Sequence, residues 1–118
     1  MTKHEHPPAE YRLTPEDEKK FETLGAAVAD VIASADTLLV PGDRFALHPD
    51  NFAEASDFEE DAGQLPSVLC AFAFRELGVT PAGLTTVREE GNEKWFATDR
   101  PDVLLGTDGT DWWIELKK

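Results

Sequence analysis

Asp102, Glu115 and Lys117 are the residues whose types and spacing could do chemistry. Pro101-Asp102 leads into the apolar run Val103-Leu104-Leu105. A turn over 106–110 comes next, and 111–117 reads as a returning strand. Side chains alternate along a strand, so Trp112, Ile114 and Leu116 share one face and Trp113, Glu115 and Lys117 the other. Pairing of that strand with 103–105 brings Asp102 toward the Glu115 and Lys117 end. Two carboxylates suit a hard cation such as Mg²⁺. A neighbouring lysine could orient or deprotonate an attacking water and stabilise charge on a phosphorane. Sheet physics alone gives a second reading. Glu115 and Lys117 would then be the solvated face of a terminal strand, their charges guarding its edge. Pro101 would open a strand where its missing N–H is harmless.

The elements that must position these residues are legible as an α+β pattern. Thr14 followed by Pro15-Glu16-Asp17 reads as a capped helix start. Phe21, Leu24, Val28, Val31 and Ile32 recur at helical spacing and predict one amphipathic helix to about Ala35. Residues 37–40 are β-prone, Pro41-Gly42 supplies a turn, and 44–47 returns, which predicts a short β-hairpin near 37–47. Residues 65–77 predict a second helix, with Pro66 at its start and Gly78 at its end. Its Val68, Leu69, Cys70, Phe72 and Phe74 are apolar nearly all round, as in a buried helix. Cys70 therefore reads as a packed small residue. Four strands are expected after it, at 84–89, 93–98, 103–105 and 111–117, with Gly91-Asn92 as the first turn. The whole is two helices on a C-terminal antiparallel meander, a single domain over 14–118 with residues 1–13 as a loose arm. His4 and His6 in that arm have a chelating spacing but read as solvated tail.

The pairing of Pro101-Asp102 with Glu115-Leu116-Lys117 across a hairpin resembles the PD-(D/E)XK nuclease superfamily. The resemblance reaches back to about Pro66. It implies a Mg²⁺-dependent nuclease or an inactive remnant of one, with Asp102 and Glu115 as Mg²⁺ ligands, Lys117 as the catalytic base or water orienter, and Glu76 as a candidate further acid from the preceding helix.

Charge points elsewhere. The net charge is −13, from 24 acids against 11 lysines and arginines. Such a surplus opposes general affinity for nucleic-acid backbones, which need cations to displace counterions. It favours solubility and fast capture of a basic protein; adaptation to a saline cell is the plain alternative. Between Arg44 and Arg75 there is no Lys or Arg. Within that stretch Asp50, Glu54, Asp57, Glu59, Glu60 and Asp61 surround Phe52 and Phe58. The two rings are either pinned to the core or exposed as contact residues rimmed by charge. The leading expectation is a non-enzymatic, immunity-protein-like or nucleic-acid-mimic-like protein that binds a basic partner there. No apolar run spans a membrane, no signal peptide is visible, and a lone cysteine suits a reducing compartment, so a cytoplasmic setting is expected.

Overall fold

The computed structural model describes residues 13–117. The arm proposed for 1–13, with His4 and His6, lies outside them except for Leu13, which packs against the core.

The first helical stretch is divided. Thr14 caps α1 (Pro15–Lys20) with a reciprocal capping box to Asp17. Phe21 leaves helical geometry (φ −102°, ψ 28°), and α2 (Glu22–Ala33) begins directly after it. The break lets Phe21 enter the core beside Leu24, Val28 and Ile32, all buried. Residues 37–40 do not form the expected strand. The chain stays helical through α3 (Ala35–Leu38), where the Thr37 and Leu38 amides and the Thr37 hydroxyl all donate to the Ser34 carbonyl. Local hydrogen bonding at the helix end thus outweighs the β-propensity of Thr37 and Leu38.

The expected hairpin is replaced by a single strand. β1 (Arg44–Ala46) pairs antiparallel with β5 (Trp112–Leu116), bringing Arg44 opposite Glu115. Residues 49–61 wind as short 3₁₀ turns. α4 (Leu65–Glu76) is buried nearly all round, Cys70 included. It ends at Gly78 (φ 70°), where the Gly78 amide donates to the Arg75 carbonyl and the Val79 amide to Phe74. That is the glycine-terminated helix stop of the Schellman type.

Three further strands complete the sheet: β2 (Thr86–Glu90), β3 (Glu93–Phe96) and β4 (Val103–Thr107). The order is β1-β5-β4-β3-β2, antiparallel throughout. The fold is therefore α+β, with a five-stranded sheet that is mostly a C-terminal meander. Gly91 takes the positive φ that a tight hairpin turn requires. Gly106, expected in a turn, sits within β4.

The helices cover one face of the sheet. Phe96, Val103, Leu105, Trp112 and Ile114 join the helical residues in the main core. Trp112 is the hinge of that packing, 5.2 Å from the Phe74 ring and 6.1 Å from Phe96. Phe72 lies so close to Gly25 that a Cβ there would meet its ring at 2.6 Å, which sets the approach of α2 and α4. On the opposite face Trp95, Leu104 and Trp113 form a separate buried cluster. No described helix is long and apolar enough to cross a membrane.

Candidate functional site

The sheet register builds the second face row by row. Arg88 on β2 pairs with Trp95 on β3, Trp95 with Gly106 on β4, and Gly106 with Trp113 on β5. In the next row Leu104 pairs with Glu115, and Glu115 with Arg44. Two indoles therefore converge over the one position that lacks a side chain. A Cβ on Gly106 would meet the Trp113 indole, its Cε2 at 2.7 Å. The two rings stand edge to face, with centroids 6.4 Å apart.

Both indole N–H groups donate to the Oε2 atom of Glu115, that of Trp113 at 3.0 Å. Arg44 and Arg88 complete the surround, at 3.5 Å from Oε2 and 3.7 Å from Oε1. Each guanidinium also stacks on an indole, Arg44 at 4.2 Å over Trp113 and Arg88 at 4.1 Å over Trp95. Arg44 makes a further two hydrogen bonds to Glu93. Glu115 is 5% exposed, with Trp95 and Trp113 at 2% and 4%.

This corrects the solvated-edge expectation. β5 is an interior strand because β1 covers its far side, and Glu115 is the buried centre of a polar cluster. A buried carboxylate is tolerable because Oε2 accepts two indole N–H bonds and each oxygen faces a guanidinium. Two guanidinium groups beside it are poor company for a divalent cation.

Asp102 has different partners. Its carboxylate takes a bidentate pair of bonds from Arg100, both at 3.2 Å, and that pairing holds its pKa below the usual aspartate value. Arg100 in turn donates to the Ile32 carbonyl at 2.8 Å, in the last turn of α2, where cationic groups are favourable. The Pro101-Asp102 motif thus ties the sheet to a helix end. Its Asp102 carbonyl accepts from the Lys117 amide, extending the β4–β5 ladder. The Lys117 side chain is exposed. Glu76 sits in the last turn of α4 and, among the described residues, makes no ion pair with the others named. Among the described residues Asp102 and Glu115 share no side-chain partner. Among the described residues, no group of three or more His, Cys, Asp or Glu side chains is placed to hold a metal ion.

The acidic segment is held from beneath. Phe52 is 4% exposed and meets Phe45 edge to face at 5.7 Å. Phe58 is half-buried, its ring 4.9 Å from Phe21. Of the two alternatives, the rings are pinned to the core. Ala55 is buried between them in sequence, so one side of the 3₁₀ turns packs inward and the carboxylates fan out. Asp61 pairs with Lys20 at 2.9 Å, and Asp50 lies 3.5 Å from His48. Among the described residues Glu54, Asp57, Glu59 and Glu60 have no cationic partner.

Sequence reasoning placed Glu115 on the right strand face beside Trp113 but missed Arg44, Arg88, Trp95 and Gly106 as its company. A signal was present: a tryptophan beside Glu115 on a face read as solvated, and a second at Trp95, are too much apolar area to leave in water. Compared with protein-family models, curated proteins and solved structures, the chain matches none.

Proposed function

We propose that this is a non-enzymatic, cytoplasmic protein-binding domain whose acidic ridge at 49–61 receives a basic protein partner. The role is immunity-protein-like or nucleic-acid-mimic-like. One observation carries it: Glu54, Asp57, Glu59 and Glu60, without cationic partners among the described residues, sit on turns anchored by Phe52, Ala55 and Phe58. Anchoring matters because a charged ridge fixed before binding loses little entropy on contact. Exposed like charges also repel, so a partner that neutralises them gains from relieving that repulsion. With both rings packed inward, recognition rests on carboxylates meeting lysine or arginine, and aromatic anchors must come from the partner.

The mechanism is electrostatic steering followed by charge-assisted hydrogen bonding. The test combines Asp57→Asn, Glu59→Gln and Glu60→Gln in one variant. Association with a basic protein captured from native lysate is followed by stopped flow at low salt. The on-rate is expected to fall by about tenfold or more, with the difference fading as salt is raised. An on-rate equal to that of the parent protein at low salt sinks the reading.

A further inference from the structure

The open face of the sheet contains a concavity of about 660 Å³, within the size range of small-molecule sites. Its lining includes the accessible apolar residues Val87, Ala97 and Pro101, along with the buried Trp95 and Leu104. Val87 is 53% exposed, at the irregularity in register between Thr86 and Arg88. The lining also gathers four cations, Arg44, Arg88, Arg100 and Lys117, against two carboxylates, Glu90 and Glu115. On a chain of charge −13 that balance is inverted locally.

The four cations are not equivalent. Arg44 is hydrogen-bonded to Glu93, and Arg100 to Asp102 and Ile32. Arg88 is held in place by stacking on Trp95 and by the charge of Glu115, yet among the described residues its guanidinium makes no hydrogen bond. Its guanidinium is therefore oriented with its donors unclaimed by protein, the arrangement that favours a planar or tetrahedral anion. Lys117 likewise has no acidic partner among the described residues.

We propose that this concavity binds a small organic anion, a carboxylate or phosphate monoester bearing an apolar ring or branched chain. Arg88 and Lys117 hold the anionic head, and Val87, Ala97 and Pro101 take the apolar body. A polyanion such as a nucleic acid is disfavoured because its many charges meet the acidic remainder of the surface. A small anion feels mainly the cations within about one Debye length, roughly 8 Å at physiological salt. The site is separate from the acidic ridge, so failure of one reading leaves the other standing.

Phenylacetate and phenyl phosphate serve as probes of the two head groups, with neutral phenylacetamide as control. Each is titrated into isotope-labelled protein while the Trp95 indole N–H and Arg88 side-chain N–H resonances are followed. The expected result is a saturable shift at about millimolar concentration with at least one anion. Binding should weaken about tenfold in Arg88→Ala and about threefold in Lys117→Gln, with Arg88→Lys between parent and alanine. The Trp113 indole resonance reports whether each variant keeps its fold. Which anion binds more tightly separates carboxylate from phosphate recognition. The proposal is overturned if neither anion gives a saturable shift, if the amide matches the anions, or if neither Arg88→Ala nor Lys117→Gln weakens binding.

Discussion

Glu115 shows how one side chain can be legible in its direction and illegible in its role. Period-two alternation placed it with Trp113, opposite Trp112 and Ile114, and the sheet keeps that division. Its burial depends on Arg44, 71 residues earlier, and on Trp95 and Arg88, none of which local periodicity can bring to it. The energetic consequence is asymmetric. Removing the carboxylate leaves two buried indole N–H groups without an acceptor, each costing about 1–3 kcal/mol. The arginines are nearly half exposed and can turn to water, so they add little. Glu115→Ala is expected to lower stability by about 3 kcal/mol in urea unfolding. Glu115→Gln, which keeps an acceptor oxygen, should cost about 1 kcal/mol. If the alanine variant unfolds within about 0.5 kcal/mol of the parent, the cluster does not depend on that acceptor.

At the scale of elements, the sequence signals that worked were those with a local mechanism. The Thr14 cap, the Gly78 stop and the Gly91 turn each stem from one residue's geometry. The failures came where tertiary pairing or a helix end captured a short ambiguous run, as at 37–40 and in β1. The β4–β5 connection belongs with the successes but uses side chains. Asp108 Oδ1 accepts from the Thr110 and Asp111 amides at 2.9 and 2.8 Å, and Thr107 Oγ1 donates to the Asp111 carbonyl. Those amide bonds, Asp111 first, favour the ionised form and lower the Asp108 pKa. A folded value below the unfolded one, about 3.9, means this stability is fully present above that pH. It is lost as pH falls through the folded value. Asp108→Asn keeps one acceptor but does not titrate. The stability gap between parent and variant, read from urea midpoints, should therefore be constant at neutral pH and shrink below about pH 4. A gap of equal size at about pH 7 and about pH 2 would show that the carboxylate charge contributes nothing to the turn.

Across residues 13–117 the molecule separates its charges: outward carboxylates, without cationic partners among the described residues, on the 3₁₀ ridge, and arginines gathered on the open sheet face. Composition showed the surplus but not this partition, because which residues share a surface is set by strand order and by where Phe52 and Phe58 anchor the ridge. The partition bears on why the chain is acidic. With 24 acids and 11 lysines and arginines, repulsion opposes the compact state at low ionic strength. Salt screens that repulsion, and most of the screening is complete by about 0.15 M, where the Debye length is roughly 8 Å. Exposed ion pairs such as Lys20–Asp61 weaken over the same range, but each is worth less than about 1 kcal/mol. Repulsion therefore decides the sign, and sodium chloride should raise the melting temperature by about 5 °C between about 0.01 M and about 0.15 M, then little. The variant carrying Asp57→Asn, Glu59→Gln and Glu60→Gln should start higher and rise less, because these three acids crowd within residues 57–60 with no cationic partner among the described residues. A protein whose acidity serves a saline cell behaves differently: its melting temperature keeps climbing steeply to about 1 M, and neutralising three ridge acids changes the slope no more than neutralising three acids elsewhere. Calorimetry of the two proteins across that salt range decides between a ridge built for a partner and a coat built for brine.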